Sequence, residues 1–238
     1  MTFTHRDLVL TPPNDPNVSV WRYVDLARFL HLLETSSLFF ARADTFADPF
    51  EGSLSVPTIP LRERVLAATP LPPDTWSGIS HIQKFLRQRV FLSCWHMNEY
   101  ESAAMWELYA PGGRAIALRS TYQLLRDALG EHASLGTVRY IDYSRDPMPP
   151  DAPYAAFFHK RRSFEHEREL RAISFDAKKD PLDLAGRLVK LNVNSTLQSV
   201  HVSPFAPAWY VDLLRAVMSR FGVNVGVQRS SLEESPLF

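Results

Sequence analysis

Cysteine occurs once in these 238 residues, at Cys94, so no disulfide can close within the chain, which suits a reducing compartment. Glycine is scarce, at 9 residues, and neither of the common Gly-rich phosphate loops is present, which disfavours a Rossmann or P-loop assignment. No run approaches the roughly 20 apolar residues that span a bilayer. The opening MTFTHRDLVLTPPNDP also lacks the apolar core of a signal peptide. The expectation is a cytoplasmic protein without membrane partners. Excess charge is missing as well: Lys+Arg and Asp+Glu both number 26, so the broad basic field of a nonspecific DNA binder is absent, while a local basic patch stays open. The histidines are scattered without a His-x-x-x-His spacing, and Cys94 with His96 has no second Cys/His pair. No metal is expected.

Aromatic residues are well represented at 12%, which argues for a packed core and against disorder. VSVWRYVD (18–25) reads as a first strand and LARFLHLLET (26–35) as a helix, with Leu26, Phe29, Leu30 and Leu33 at helical spacing. SSLFFARAD is a second strand, and VFLSCWH (90–96) a buried one. Helices are expected at LRERVLAAT, HIQKFLRQRV, NEYESAAMWELYA (98–110), TYQLLRDALG, YAAFFHKRR and APAWYVDLLRAVMSRFG. Strands are expected at RAIALRS, GTVRYIDYS (136–144), ELRAISFD (169–176), LVKLNVNST, SVHVSPF and VNVGVQRSS. Many strands are short and some are consecutive, which favours an α+β fold with mixed or antiparallel sheets over a doubly wound parallel one. One domain is expected over 1–238, with an N-terminal extension (1–17), a Pro-rich connection (57–80) and a C-terminal tail (229–238).

Several groups carry candidate chemistry. Arg22 alternates with Trp21 and Tyr23 and shares a strand face with Val20 and Val24, where a guanidinium needs a carboxylate or a phosphate. In ADTFADPFEG, Asp48 before Pro49 favours a turn, with Phe46 and Phe50 as core anchors and Asp48 and Glu51 at the rim. Those carboxylates serve equally as caps of backbone amides. Cys94 reads as a small buried hydrophobe rather than a nucleophile. Met105, Leu108 and Tyr109, with Trp106 at the edge, read as a core stripe. FEHERELRAISF sets Glu165, Glu167 and Glu169 at alternate positions beside His159, Lys160, Arg161 and Arg162. If that stretch is extended, Glu167 and Glu169 share a face and Arg171 continues it. Crowded carboxylates raise at least one pKa and suit stabilising a cation or taking a proton. The plainer alternative is a junction laced with surface ion pairs.

In order, WRYVD, LFFARADTFADPFEG, FLSCWHMNEYESAAMWELYA with PGGRAIAL, VRYIDY and FFHKRRSFEHERELR resemble the bacterial domain-of-unknown-function family 2971 over roughly residues 20 to 175. Ala47 stands where that family usually has Asn. The family name supplies no activity. The chain is also similar, in residue order, to ADP-ribosyltransferases of the Arg-Ser-Glu type: Arg22 on a first strand, Ser93 on a later one, then Glu167 and Glu169 before LRAIS. That resemblance implies NAD as ligand, with Arg22 on the pyrophosphate, Ser93 steadying the site and Phe39 or Phe40 stacking on nicotinamide. It also implies that a glutamate stabilises an oxocarbenium-like transition state. The expected function is thus ADP-ribosyl transfer or NAD cleavage on an acceptor that the sequence leaves open, with Asp48, Glu51 and Arg171 in the cleft. Two alternatives stand beside it. One is a non-catalytic interaction module of bacterial stress or phage defence; the other is a metal-independent nuclease or hydrolase using Asp48, Glu51 and Glu167.

Overall fold

The computed structural model describes residues 10–68, 78–109, 112–152, 154–176 and 185–236. Much of the Pro-rich connection, and the ends of both expected terminal segments, lie outside these residues. Along the chain, β1 (Ser19–Val24), α1 (Leu26–Thr35) and β2 (Ser37–Arg42) are followed by α2 (Thr58–Ala67), α3 (Ile79–Arg89) and β3 (Val90–Met97). Then come α4 (Ala103–Tyr109), β4 (Ile116–Thr121), α5 (Tyr122–Leu129), β5 (Ser134–Thr137), β6 (Arg139–Ile141) and β7 (His159–Arg161). The order closes with β8 (Glu169–Phe175), β9 (Gly186–Lys190), α6 (Val193–Thr196), β10 (Ser199–Val202), α7 (Trp209–Arg220) and β11 (Gly226–Arg229). The class is α+β, with both parallel and antiparallel pairings. Among the described residues no helix is long and apolar enough to cross a membrane.

The chain gathers into two compact units. One holds Pro13–Phe39, Cys94–Gly130 and Leu188–Phe238. In it β1 pairs antiparallel with β4 from Ser19↔Thr121 to Val24↔Ile116, β10 adds antiparallel to β4, and β11 adds parallel to β10. Asp25 caps α1 by accepting from the Arg28 amide at 2.7 Å, and Thr121 caps α5 through the Leu124 amide at 3.2 Å. Trp21, Tyr23, Met105, Trp106, Ala115 and Ala117 form one apolar cluster. The helix expected over 98–110 begins only at Ala103. The Glu101 carboxylate bonds the Trp106 indole, the Ser230 hydroxyl and the Ser231 amide, which commits the preceding residues to a loop. The stripe also turns: Trp106 is buried, whereas Leu108 and Tyr109 stand exposed. The strand expected at LVKLNVNST ends at Lys190, and Asn192 caps the short α6 instead.

The other unit holds Phe40–Ser93 and Glu131–Arg187 with the segment ending at Pro12. Here β2 meets β3 at Ala41↔Leu92, and β5 lies antiparallel to β8 from Ser134↔Ile173 to Thr137↔Leu170. A separate parallel pair joins β6 and β7, Arg139↔His159 through Ile141↔Arg161. The strand expected over 136–144 is therefore broken at Val138, whose amide donates to the Glu169 carbonyl. YAAFFHKRR is not a helix: one 3₁₀ turn spans Ala155–Phe158, and β7 captures His159–Arg161. Gly52 turns with φ +67°, and a Cβ there would meet the Phe157 ring at 2.4 Å, so the turn after Phe50 requires glycine.

Candidate active site

FEHERELR is not extended. Arg162–Glu167 forms a 3₁₀ turn, Arg168 takes a left-handed conformation at φ 42°, and Glu169 opens β8. A left-handed residue costs a non-glycine side chain roughly 1 kcal/mol, and here it redirects the chain between two carboxylates. Glu165 ends exposed, whereas Glu167 and Glu169 are buried. Both reach the same ammonium group. Lys160 Nζ donates to Glu169 Oε1 at 2.8 Å and also to Glu167 Oε2. The shared contact thus comes from a reversal of the chain rather than from strand alternation.

Glu169 and Arg171 do share a face of β8, two residues apart. Arg171 Nε donates to Glu169 Oε2 at 2.9 Å, and its Nη1 and Nη2 fork onto Glu51 Oε1 and Oε2 at 2.7 and 3.1 Å. The Phe157 carbonyl accepts a further bond from Nη1 at 2.6 Å. Arg171 and Glu51 side chains are 0% and 1% exposed, whereas Lys160 and Glu167 each keep 10% and Glu169 8%. The cluster has a sealed base at Arg171–Glu51 and an outward edge at Lys160, Glu167 and Glu169.

Asp48 lies in the same unit and accepts from the Phe50 amide at 3.1 Å and from Arg161 Nη2 at 2.8 Å. Phe50 is 41% exposed rather than a core anchor. Its ring instead lies 4.4 Å under the Arg161 guanidinium and meets Tyr143 edge-on. Tyr140 on β6 accepts from the Glu169 amide at 2.8 Å, and burial raises its hydroxyl pKa.

Ionising every group would set three carboxylates, Glu51, Glu167 and Glu169, against two cations, Lys160 and Arg171. Burial first, then the neighbouring Glu169 carboxylate, push the Glu167 carboxyl up to about 7, with Lys160 pulling the other way. Burial also works against charge on Glu169, but Arg171 and Lys160 outweigh it and hold that carboxyl below its usual range. Burial pushes Glu51 up against the pull of Arg171, and the Lys160 ammonium is held above its ordinary value by the two glutamates despite burial.

A sign follows for stability. A carboxyl raised from 4.5 to about 7 on folding stabilises the protein below 4.5, and that contribution is lost as pH climbs through 7. The loss is on the order of 3 kcal/mol at most. Glu169 runs oppositely, its share being lost as pH falls below the ordinary glutamate value. Buried His159, lowered from 6.5, likewise loses stability as pH falls. The Glu167 share is therefore read as a difference: unfolding free energy of wild type falls relative to Glu167→Gln between pH 5 and 8. A constant difference across that range would refute the assignment.

Arg22 belongs to the other unit. It donates from Nη2 to the Phe39 carbonyl at 3.0 Å and lies 5.9 Å over the Trp95 ring. Burial lowers its guanidinium to about 10. Phe40 is fully buried, so of the two adjacent phenylalanines it is Phe39, 40% exposed, that presents a ring. Ser93 is buried within β3, and Cys94 is half-buried with Arg22 in electrostatic reach. Lys160 is the residue the sequence reading left unassigned. Its signal is the alternation of His159-Lys160-Arg161 once those residues are read as a strand. Among the described residues no group of three His, Cys, Asp or Glu side chains could hold a metal ion.

No protein-family model and no curated protein sequence matches the chain, so the likeness to family 2971 rests on the motifs alone. Solved structures of Thermus sp. 2.9 DarT are similar at 9% identity. The complex with NAD+ has a TM-score of 0.47 and covers 94% of this chain and 100% of that one. The complex with carba-NAD+ gives 0.46 with the same coverage, and that with ADP-ribosylated ssDNA gives 0.45, covering 94% and 99%. A likeness this distant says nothing about the activity of this chain.

Proposed function

We propose that this chain is an enzyme acting on the nicotinamide–ribose bond of NAD, transferring ADP-ribose to an acceptor or cleaving NAD, with Glu167 and Glu169 as its chemical groups. The observation that carries this is the pair of glutamates held on one ammonium at the outward edge of a sealed ion-pair cluster. Enzymes that flank a glycosidic bond with an opposed acid and base keep their carboxyls roughly 5–9.5 Å apart. Two carboxyls sharing Lys160 sit on one side instead. That arrangement suits a fixed anion facing the positive charge that grows on the ribose as nicotinamide departs with the bonding pair. Asp48 and Glu51 are engaged by Arg161 and Arg171, which weakens the hydrolase reading that needs them at a water.

Arg22, which bonds the Phe39 carbonyl and lies near the Trp95 ring, is the proposed residue for the NAD pyrophosphate, with Phe39 as the ring-stacking residue and Ser93 as support. An interaction module is the second reading, favoured by Phe205, Trp209 and Leu213, which stand 60%, 54% and 37% exposed at and before α7.

The test is nicotinamide release together with NAD binding by calorimetry. Wild type is expected to bind and turn over NAD, Glu169→Gln to lose about 10²-fold or more in turnover with binding retained, and Arg22→Ala to lose binding. A wild type that neither binds NAD nor turns it over overturns the proposal and leaves the interaction module.

A further inference from the structure

We propose that Ser199, His201 and Glu101 form the nucleophile, base and orienting carboxylate of a second chemistry, attack on the carbonyl of a short-chain carboxylic ester, with Arg119 as donor to the developing oxyanion. None of these residues is assigned to NAD, so the two readings stand apart. Ser199 and His201 lie two apart on β10 and share one face of the sheet. Ser199 Oγ is 2.9 Å from His201 Nε2, and His201 Nδ1 faces Glu101 Oε1 at 3.6 Å. Hydroxyl, imidazole and carboxylate in that order make an activated serine.

The direction of the Ser199 hydrogen bond follows from Glu101. Its Oε1 accepts from the Ser231 amide and hydroxyl at 2.8 and 3.1 Å. Its Oε2 accepts from the Trp106 indole and the Ser230 hydroxyl at 3.0 and 2.6 Å. Four donors on two oxygens hold an ionised carboxylate. A bare Nδ1 beside it would set a lone pair against negative charge, so the neutral ring carries its hydrogen there. Nε2 is then an acceptor, and Ser199 donates to it. The Trp21 ring, 4.9 Å from the imidazole and steeply inclined to it, holds the plane of the base.

Two further observations point to a substrate beside Ser199. Arg119 is its register partner on β4 and lies on the same face. Arg119 Nη2 donates to Ser19 Oγ at 3.0 Å, but Nε is buried without a partner. A leftover buried N–H beside a nucleophile is a donor for an arriving oxygen. On the other side, β11 ends the sheet, and the residues paired with Ser199 and His201 are the exposed Gly226 and Gln228. A Cβ on Gly226 would meet nothing within 4 Å. The room left by that missing side chain suits a short acyl group.

In the reaction, Ser199 Oγ bonds the carbonyl carbon and its proton passes to His201 Nε2. The carbonyl π pair moves onto oxygen, to which Arg119 Nε donates. When that pair returns, the bond to the alcohol breaks, and the leaving oxygen takes the bonding pair and the Nε2 proton. Water then repeats the sequence on the acyl-serine and releases the acid. Glu101 is the positioning residue, acting through His201.

The test is reaction of the full chain with a fluorophosphonate probe, read by peptide mass spectrometry. Phosphorus bonds Ser199 Oγ, fluoride leaves with the P–F pair, and the hydroxyl proton goes to His201 Nε2. An adduct at Ser199 is expected in wild type and none in Ser199→Ala. His201→Gln is expected to slow labelling by about 10²-fold or more. Hydrolysis of p-nitrophenyl acetate is expected to follow the same order, with Arg119→Gln slower than wild type by about 10²-fold. ¹⁵N NMR of the histidine-labelled chain is expected to show His201 with its hydrogen on Nδ1, and Glu101→Gln to gain the Nε2–H form, a change that lost packing alone would not produce. A wild type without an adduct at Ser199, a labelling rate that His201→Gln leaves unchanged, or an Nε2–H ring in wild type overturns the proposal. If His201→Gln does not fold, the wild-type adduct and tautomer still decide the matter.

Discussion

Replacing Arg171 by methionine is expected to cost about 3–5 kcal/mol of folding stability, a fall of roughly 8–15 °C in Tm. The guanidinium is fully buried and bonds Glu51, Glu169 and the Phe157 carbonyl. Methionine matches its length but leaves two buried carboxylates facing one cation, Lys160. The loss comes from charges left without a partner more than from any net gain of the ion pair itself. Two further variants separate those contributions. Arg171→Lys keeps the charge but loses the fork onto Glu51, and is expected to fall between wild type and Arg171→Met. Combining Arg171→Met with Glu51→Gln removes one orphaned charge and is expected to recover a sizeable part of the loss. Calorimetry of the four proteins is the measurement. A cost below about 1 kcal/mol for Arg171→Met would mean that water reaches the cluster and that its sealed base is not sealed.

Trp106→Ala is expected to destabilise by about 3–5 kcal/mol, the usual cost of emptying a large buried aromatic site. Trp106 is 1% exposed and meets the Tyr23 ring edge-on at 4.8 Å. Its indole N–H also donates to Glu101 Oε2 at 3.0 Å. Burial works against charge on Glu101, but the His201 ring 3.6 Å away and donors from Ser230, Ser231 and Trp106 outweigh it and hold the carboxyl at about 2. Trp106→Phe keeps most of the ring volume and removes only the donor, so it is expected to cost about 1–2 kcal/mol. A denaturant series on the two variants checks this. Equal losses would show that the hydrogen bond to Glu101, rather than the packing, dominates.

The regular elements were legible because local rules agree with tertiary placement. Asp25 and Thr121 cap the helices they precede, and β1, β3 and β8 carry the apolar and aromatic residues that strands favour. Where the reading failed, a distant partner overrode local pattern. Alternating glutamates suggested an extended stretch, but Arg168 turns the chain and Lys160 gathers the carboxylates from the other side. The long apolar run Ala155–Phe158 suggested a helix through His159-Lys160-Arg161, and this concealed Lys160. β6 captured those residues as a strand, a pairing no local signal announces. Asp48 and Glu51 were marked as a rim of carboxylates, but their arginines lie so far along the chain that a single sequence could not match them. Phe50 illustrates the same limit: its aromatic character was plain, its stacking on Arg161 was not.

That separation has a kinetic consequence. Asp48 meets Arg161 across 113 positions, and Glu51 meets Arg171 across 120. Closing loops of that length carries a chain-entropy cost that must be met before the contact gives anything back. The two ion pairs are accordingly expected to form after the rate-limiting step of folding, with their charges still hydrated at the barrier. Their contribution then goes almost wholly into the lifetime of the folded protein rather than the speed of reaching it. The turn from Asp48 to Glu51 is in that sense a latch, slow to release once shut.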